Sequence, residues 1–449
     1  MLETVNKESN YLCKVVVLKN VRMHSNAHSL QCVSVGLNTV ITGMDAKEGD
    51  IYVYFPLESK ISADFLAFTN SFRDPSANSD ITKKGYFEDN CRVKAMRLRG
   101  EQSMGYIVPF RTIAEWSGKN ELDYIDGLEF DTINGKLIVE KYVSFKKQRA
   151  DARQGKQPKL TRLVDGQVNL HVQTKNLRHV PEAITPNDLI SITYKTHGTS
   201  WWVSNVLVKN KLNWFARLGQ KLGLNVRATD YDLVYGSRKV VKNKSFEDPK
   251  GQDHFFGYDL WEDIKNEIGD LIPKGWTLYG EMLGYDKNGG AIQKGFDYGC
   301  DPQGGNFGVN HTHAIKSFKP QSKIEVYRIT QTNSDGVVTE LTYPQIKEFC
   351  DSVGLTAPHL YFYGRAGDFY NTDYGTSLEK WQENFVIKLQ DTFNEKDCFM
   401  CVNKVPEEGI VIRKEKLIGC EAYKLKSFRF LEKETKLLDK GESDIESEN

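Results

Sequence analysis

The stretch ISITYKTHGTS, residues 190–200, places a single lysine where a strand gives way to a turn. Apolar and β-branched residues alternate along 190–194, which predicts a strand. Lys195 then stands at the strand end, and Gly198 permits a tight turn just after it. A lysine in this place is either an ordinary solvated cation or a nucleophile, so its neighbours matter.

A nucleophilic lysine must be unprotonated, although the ordinary pKa of its amine is about 10.4. Nearby cations, burial or a metal ion lower that pKa. Lys424 and Lys426 in EAYKLKS alternate along one strand and therefore share a face. Two cations on one face repel each other unless they bind a polyanion such as a triphosphate. Alternatively, such lysines lie on a solvent-exposed edge strand, where they prevent pairing with another chain.

Acidic residues beside glycines supply candidate metal ligands. Glu281 in LYGEML stands at a strand end beside a glycine. Glu407 and Glu408 in EEGIVIR precede a glycine and a run typical of a buried strand. Carboxylates in such places can bind Mg²⁺ or Mn²⁺, which prefer oxygen ligands, or can simply be turn residues. The residue types alone do not decide between Glu407 and Glu408.

In chain order, these residues resemble the motifs of the covalent nucleotidyltransferase superfamily, which contains polynucleotide ligases and mRNA capping enzymes. The nucleophile motif K-x-D/H-G is matched by KTHG, the S-R pair by GSRK, the E-G-x-V motif by EGIV and the K-x-K motif by YKLKS. LYGEML and VYRI match the remaining two motifs. The resemblance implies a set of nucleotide-binding residues: Lys195, His197, Gly198, Arg238, Glu281, Tyr327, Glu408, Lys424 and Lys426.

Two departures favour an ATP-dependent RNA ligase within that superfamily. His197 stands where DNA ligases and capping enzymes carry Asp, and the form K-x-H-G-T-[NS] is typical of one RNA ligase branch. Only 23 residues, 427–449, follow Lys426, so the C-terminal OB domain of DNA ligases and capping enzymes is not expected here. NAHSLQCVSVG and EGDIYVYFP resemble instead the N-terminal OB module of a bacterial and phage type of RNA ligase.

The resemblance implies that Lys195 attacks the α-phosphate of ATP and forms a covalent lysyl-AMP. AMP then passes to an RNA 5′-phosphate, and a 3′-OH displaces AMP and seals the strand. Lys424, Lys426 and Mg²⁺ or Mn²⁺ would balance the charge on the phosphates. Arg238 would bind the incoming 5′-phosphate. Tyr327 would stack on adenine, unless it is a core aromatic.

Several roles stay open. Glu408 is expected to bind a metal ion, and Glu281 to bind either the ribose or a metal ion. Trp201 and Trp202 are either core residues or base contacts. The substrate is expected to be RNA ends, in nicked duplex RNA or an RNA–DNA hybrid, as in RNA repair and nick sealing. The alternatives are a DNA ligase, a capping guanylyltransferase or a non-catalytic nucleic-acid-binding protein.

The expected fold is α+β with two domains. Short strands broken by turns predict an OB-like small β-barrel that binds nucleic acid over residues 1–145. A basic linker is expected at 146–160. Residues 161–430 should form the adenylyltransferase domain, an ATP-grasp-like ligase fold with antiparallel sheets and flanking helices. Residues 431–449 are acidic and expected to be disordered.

Charge is unevenly distributed along a chain whose formal net charge is zero. Residues 141–160 contain seven Lys/Arg against one acid, and residues 432–449 contain seven acids against three Lys. In CRVKAMRLRG, a bulge near residues 95–96 would bring four basic residues onto one strand face. That face is either a nucleic-acid surface or a solvated outer face. The four residues are Arg92, Lys94, Arg97 and Arg99.

Other features bear on compartment and cysteine chemistry. The sequence has no run of about 18 apolar residues, and MLETVNKESNYL lacks the apolar core of a signal peptide. An intracellular monomer, cellular or viral, with no membrane partner is therefore expected. Eight scattered cysteines favour reduced thiols, although Cys398 and Cys401 could form half a zinc site. The insert between Asn205 and Asp230 matches none of these motifs.

Overall fold

The computed structural model describes residues 2–6, 9–119, 123–143, 162–212, 214–242, 256, 258–305, 319–371 and 375–440. The chain divides into two compact units. The first comprises Met1–Ser144, Arg178–Pro181 and Phe428–Glu442, and the second comprises Phe145–Leu177, Glu182–Ser427 and Ser443–Asn449. The predicted basic linker at 146–160 lies outside the described residues. Over the described ranges, no helix combines the length and apolarity that crossing a bilayer requires.

Both units combine antiparallel sheets with helices, which confirms the α+β class. The described helices are α1 (Ala63–Phe68), α2 (Phe110–Trp116), α3 (Trp214–Lys221), α4 (Leu260–Ile268), α5 (Tyr343–Val353), α6 (Ala366–Phe369), α7 (Leu378–Phe393) and α8 (Phe428–Asp439). α5 is formed by YPQIKEFCDSV, and α7 by LEKWQENFVIKLQDTF. A capping box between Thr342 and Gln345 starts α5, and Gly354 in the left-handed conformation ends it.

The first unit is built from short strands. They are β1 (Leu2–Glu3), β2 (Cys13–Val17), β3 (Lys19–Met23), β4 (Gln31–Val35), β5 (Asn38–Thr42), β6 (Ile51–Phe55), β7 (Ser59–Ile61), β8 (Ala95–Leu98), β9 (Glu101–Met104), β10 (Tyr106–Pro109), β11 (Glu129–Phe130), β12 (Thr132–Ile133), β13 (Lys136–Leu137) and β14 (Val139–Lys141). Sheets with strand orders β10-β6-β2-β11 and β3-β4-β5 enclose apolar clusters. An Asn134-Gly135 turn joins β12 to β13, with φ of 49° and 77° at the two turn residues.

The helix α8 belongs to the first unit although it lies at the other end of the chain. Phe428 and Leu431 of α8 form an apolar cluster with Ala95 and Met104 of β8 and β9. The prediction of a disordered tail from residue 431 is therefore wrong for residues 431–439, because their apolar face is buried. Residues 441–449 lie outside the described residues.

The second unit contains two larger sheets. Its strands are β15 (Lys175–Asn176), β16 (Leu189–Tyr194), β17 (Thr199–Lys209), β18 (Thr229–Ser237), β19 (Val241–Lys242), β20 (Trp276–Gly284), β21 (Ser322–Thr332), β22 (Val338–Glu340), β23 (Leu360–Arg365), β24 (Gly409–Lys414) and β25 (Glu421–Lys426). The five-stranded sheet has the order β15-β25-β24-β16-β23, and the six-stranded sheet has the order β19-β18-β17-β20-β21-β22. Buried residues of α4 and α5 share a cluster with the six-stranded sheet.

Candidate active site

The turn KTHG connects the two sheets of the second unit. β16 of the five-stranded sheet ends just before Lys195, and β17 of the six-stranded sheet begins just after Gly198. The backbone N–H of Lys195 donates to the carbonyl of Gly409 at 2.9 Å, which anchors the start of the turn. A Cβ on residue 198 would lie 2.6 Å from the carbonyl oxygen of Met282, so only glycine fits there.

A single carboxylate, that of Glu408, contacts two of the predicted lysines. Nζ of Lys195 lies 2.7 Å from Oε1 of Glu408, and Nζ of Lys426 lies 3.3 Å from the same oxygen. Nδ1 of His197 lies 3.7 Å from the other oxygen, Oε2. The Glu408 side chain is 0% exposed, so these charges interact with little screening by water.

Strand order explains why these residues converge. β24, which follows Glu408 directly, lies between β16 and β25 in the sheet. Tyr194 pairs with Ile410, and Gly409 pairs with Lys426. The ends of β16 and β25 therefore meet on either side of the start of β24. Three charged residues that are distant in sequence thus occupy one edge of one sheet.

Glu407 makes different contacts from its neighbour. Its Oε1 accepts a hydrogen bond from the backbone N–H of Lys396 at 3.4 Å. Its backbone carbonyl accepts from the hydroxyl of Ser427 at 2.7 Å. Burial raises the pKa of the Glu407 carboxyl to about 7. Of the two glutamates that the residue types left open, Glu408 is the one that contacts Lys195.

A pocket in the second unit is lined by residues of both sheets. The predicted site residues in its lining are Lys195, Arg238, Glu281, Tyr327 and Lys424. Glu408 contacts Lys195, and both His197 and Lys426 contact Glu408. Cations, carboxylates and an aromatic ring around one cavity suit a ligand that has both a planar base and phosphates.

Tyr327 of β21 is half-buried in the lining of this pocket. Its hydroxyl lies 3.0 Å from Nδ1 of His171, which no motif singled out, and 3.3 Å from Oγ of Ser200. Burial raises the pKa of Tyr327 well above that of an ordinary tyrosine, so the phenol stays protonated at neutral pH. The hydroxyl contacts fix the ring, and one surface of the side chain faces the cavity.

Trp201 and Trp202, which follow the turn, are core residues. Each is 1% exposed, and the two belong to different apolar clusters of the six-stranded sheet. The indole N–H of Trp202 donates to the carbonyl of Ser237 at 2.7 Å, at the end of β18. Neither ring lines the pocket. The tryptophans therefore pack on opposite faces of β17, and Trp202 also fixes the end of β18 just before Arg238.

Glu325, which no motif singled out, lines the same pocket. It is the cross-strand partner of Glu281, and the hydroxyl of Thr196 donates to its Oε2. Burial raises the pKa of the Glu325 carboxyl to about 7. Glu325 precedes Tyr327 by two residues on a strand, so both side chains point to one face. That alternation is present in the sequence and could have identified this residue.

The four basic residues of the predicted nucleic-acid face have different environments. Arg92 is 3% exposed and pairs with Asp439 of α8 at 2.6 Å, and Lys94 pairs with the same carboxylate at 2.8 Å. Arg97 and Arg99 are exposed, and Arg99 has a φ of 46° in the turn after β8. The prediction is therefore wrong for Arg92 and Lys94, because α8 supplies acidic partners that the local sequence does not show.

The CxxC pair lies against the strand that carries the nucleophile candidate. The hydroxyl of Tyr194 donates to Sγ of Cys398 at 3.0 Å. A hydrogen bond from the thiol of Cys401 is the main cause that lowers the pKa of Cys398 to about 6. Within the described ranges, no group of three or more His, Cys, Asp or Glu side chains could hold a metal ion. The described residues thus offer no further ligands for zinc.

The chain is similar in structure to an RNA ligase from Naegleria gruberi. A structure of that ligase with AMP and Mn aligns with a TM-score of 0.54 over 94% of this chain and 98% of that chain, at 14% sequence identity. A second, with ATP and Mn, gives 0.54 over 94% and 97%, at 13% identity. A third, with pyrophosphate, gives 0.53 over 95% and 99%, at 13% identity. The chain has the fold of an RNA ligase.

This RNA ligase fold confirms the resemblance that the motifs predict. Antiparallel sheets with few helices match the expected architecture, whereas the OB assignment of the first unit stays a prediction. No protein-family model and no curated protein sequence matches the chain. At 14% identity the likeness lies in the fold, and the activity has to be argued from the site.

Proposed function

We propose that this chain is an ATP-dependent RNA ligase that joins a 3′-OH to a 5′-phosphate through a lysyl-AMP intermediate. The observation that supports this most directly is the contact between Lys195 and Glu408 beside the pocket. Lys195 is the only lysine of the motif set that lies in the turn between the two sheets. ATP and Mg²⁺ or Mn²⁺ are the proposed cofactors, in keeping with the AMP, ATP and Mn in the Naegleria ligase structures.

The nucleotide is placed by the two sheets together. Tyr327 offers an aromatic surface for the adenine, and the Thr196–Glu325 hydrogen bond lies in the same lining. Lys424 supplies a cation on β25, and Glu281 supplies a carboxylate suited to the ribose hydroxyls. The α-phosphate then belongs near Nζ of Lys195, where the proposed bond forms.

In the first step, unprotonated Nζ of Lys195 attacks the α-phosphorus of ATP. A P–N bond forms, the bond from the α-phosphorus to the bridging oxygen breaks, pyrophosphate leaves, and the nitrogen passes its extra proton to Oε1 of Glu408, 2.7 Å away. Negative charge grows on the non-bridging oxygens during this step, and positioned cations stabilise it. Lys426, which is 5% exposed, and Lys424 are the cations that the second unit supplies on β25.

In the later steps, the RNA 5′-phosphate attacks the phosphorus of lysyl-AMP and releases Lys195. A 3′-OH then attacks the adenylylated 5′-phosphate, and AMP leaves as the strand is sealed. Arg238 lines the pocket beside the end of β18, and its planar guanidinium suits a phosphate with two acceptor oxygens. The substrate is RNA ends, in nicked duplex RNA or an RNA–DNA hybrid, and the first unit is proposed to bind nucleic acid as an OB-like domain.

A divalent cation fits this site as a largely hydrated ion. The described residues offer no cluster of three or more protein ligands, and Mg²⁺ or Mn²⁺ commonly uses one or two carboxylates with phosphate and water oxygens. Glu408 and Glu281 are the carboxylates that would hold it. Such an ion would neutralise charge on the phosphates and leave the remaining positioning to the lysines.

A sealing assay tests the proposed function. The substrate is a labelled RNA with a 5′-phosphate and a 3′-OH, with ATP and Mg²⁺ or Mn²⁺. We expect two products: an RNA carrying AMP on its 5′-phosphate and a sealed RNA. Lys195→Ala should form neither from ATP but should still seal RNA that is adenylylated in advance. Sealing of DNA but not RNA, or transfer of GMP from GTP, would replace this proposal with a DNA ligase or a capping enzyme.

A further inference from the structure

The insert that no motif explains forms the tip of the β17–β18 hairpin. Residues 210–228 join the two strands and contain α3. Lys209 pairs with Thr229 at the base of the tip. The side-chain amide of Asn210 donates to the carbonyl of Arg227 at 2.9 Å, which closes the base further. The base of the tip is therefore held by hydrogen bonds at the end of the six-stranded sheet.

The tip exposes apolar side chains that a helix normally buries. The rings of Trp214 and Phe215 lie 3.8 Å apart between centroids, and each side chain is 64% exposed. Three leucines of the same tip are also exposed: Leu218 at 45%, Leu222 at 70% and Leu224 at 64%. Exposed apolar side chains concentrated in one short segment mark an interaction site. Its chemistry depends on the charges around it.

The charges around the tip have one sign. Residues 209–228 contain five Lys or Arg and no Asp or Glu. Lys209, Lys211 and Lys221 are exposed, whereas Arg227 pairs with Asp230 at the base. Exposed aromatic rings among lysines suit single-stranded nucleic acid, because the rings stack on bases while the cations contact phosphates. An acidic or purely apolar partner would not use both features.

We infer that the tip, residues 210–228, binds a single-stranded segment of the same RNA whose end is joined at Lys195. This inference rests on the proposed function. β17 and β18 connect the two places directly, since β17 begins after the KTHG turn and β18 ends beside Arg238. Trp214 and Phe215 stack on bases, and Lys211 and Lys221 contact phosphates. The tip thereby lengthens the RNA-binding surface away from the reacting ends.

The length of the hairpin sets the length of RNA that is needed. β17 spans 11 residues, and strand residues advance about 3.3 Å each, so its two ends lie roughly 33 Å apart. Phosphates of a stacked single strand are spaced by about 3.4 Å, so at most roughly ten nucleotides are needed to bridge that distance, and an extended strand needs fewer. An RNA of about three nucleotides bound at the pocket is therefore too short to reach the tip, whereas one of about 20 nucleotides reaches it.

Equilibrium binding of 5′-phosphorylated single-stranded RNA to the full chain tests this inference. The Trp214→Ala/Phe215→Ala variant should bind RNA of about 20 nucleotides roughly tenfold more weakly and RNA of about three nucleotides as the wild type does. Leu417→Ala/Ile418→Ala is the matched control, since these side chains are 67% and 69% exposed in the same unit. The control should bind both RNAs as the wild type does, and both variants should still form protein–AMP.

The salt dependence of binding tests the cations separately. For the long RNA, Lys211→Ala should reduce the slope of log affinity against log salt by about 0.7, as expected for one phosphate contact with a single strand. Unchanged affinity of the aromatic variant for the long RNA would overturn the inference. Equal losses of affinity for both RNA lengths in the aromatic variant would also overturn it. The same holds if that variant keeps its RNA affinity but loses binding to phosphatidylserine vesicles or loses self-association. A wild-type protein that binds long RNA but never forms protein–AMP would contradict the proposed function. The binding comparison between the two RNA lengths would still test the role of the tip.

Discussion

Nζ of Lys195 lies 2.7 Å from Oε1 of Glu408, and that oxygen also lies 3.3 Å from Nζ of Lys426. A single buried carboxylate therefore balances two lysines that approach from the strands on either side of β24. Two ammonium groups at such a short separation would otherwise repel each other strongly. The carboxylate holds both amines at the edge of the sheet where the proposed phosphate chemistry takes place. Its removal should therefore disturb both amines.

Glu408→Gln should slow protein–AMP formation by about 10²-fold, the usual cost of losing one positioned electrostatic group. The amide keeps the shape of the side chain but removes the charge that the two lysines share. Glu407→Gln is the matched control, because that carboxyl contacts Lys396 and not Lys195. Single-turnover labelling with ATP measures both rates. Equal rates for the two variants would contradict the assignment of Glu408.

Lys426→Ala should impair protein–AMP formation far more than RNA binding. Lys426 is assigned to the phosphates of ATP, so its loss should cost about 10²-fold in the first step. Lys414→Ala is a control on the neighbouring strand, since Lys414 pairs with Asp188 at 3.1 Å and does not line the pocket. Labelling rates and RNA affinities are to be measured for both variants. Equal losses in the two assays for Lys426→Ala would count against its role.

Arg92→Ala should destabilise the first unit by about 2 kcal/mol, because it removes a buried guanidinium that donates to Asp439 and to the carbonyl of Thr435, while Asp439 keeps its contact with Lys94. Arg99→Ala, at an exposed position in the turn after β8, should change the free energy of unfolding by less than about 0.5 kcal/mol. Denaturant unfolding followed by a probe in the first unit measures both. A stable Arg92→Ala protein with weakened RNA binding would restore the nucleic-acid role that the sequence suggests.

Lys242 predicts a pH dependence of stability in the second unit. Its Nζ lies 3.4 Å from the ring centroid of Trp261, and burial lowers its pKa from 10.5 to about 8. Between those two pH values the unfolded chain binds more protons than the folded chain. The free energy of unfolding should therefore rise with pH across that window, by on the order of 3 kcal/mol. Below about pH 8 both states are protonated, and the cost of burying the charge is constant.

Lys242→Met should remove this rise and should be more stable than the wild type at neutral pH. The measurement is the difference in free energy of unfolding between wild type and variant, at about pH 7 and about pH 10. Taking the difference cancels other groups that titrate at high pH. A difference that is the same at both pH values would show that Lys242 keeps its ordinary pKa in the folded protein.

Local sequence patterns predicted the strands and turns of the site well, because these elements depend mainly on neighbouring residues. LYGEML, EGIVIR and EAYKLKS are strands β20, β24 and β25, and Lys195 stands at a strand end as expected. The convergence of Lys195, Glu408 and Lys426 was not predictable from residue types alone, because it depends on the order β25-β24-β16. The motif resemblance named these residues without giving the contact between them.

The wrong predictions come from partners distant in sequence. Arg92 is separated from Asp439 by 347 positions, and no local pattern connects them. The acidic composition of the tail suggested disorder, whereas the apolar Phe428 and Leu431 at its start pack into the first unit. Glu325 belongs to none of the motifs, and only the strand alternation that it shares with Tyr327 connects it to the pocket.

The most direct test of the central claim is labelling of the protein with α-³²P-labelled ATP and Mg²⁺ or Mn²⁺, followed by denaturing electrophoresis. We expect label that stays with the wild-type protein, appears with ATP and not GTP, and is absent from Lys195→Ala. Mass spectrometry of the labelled peptide should place AMP on Lys195. Label retained by Lys195→Ala, or no label on a folded wild-type protein free of prior AMP, would contradict the assignment of this lysine as the nucleophile.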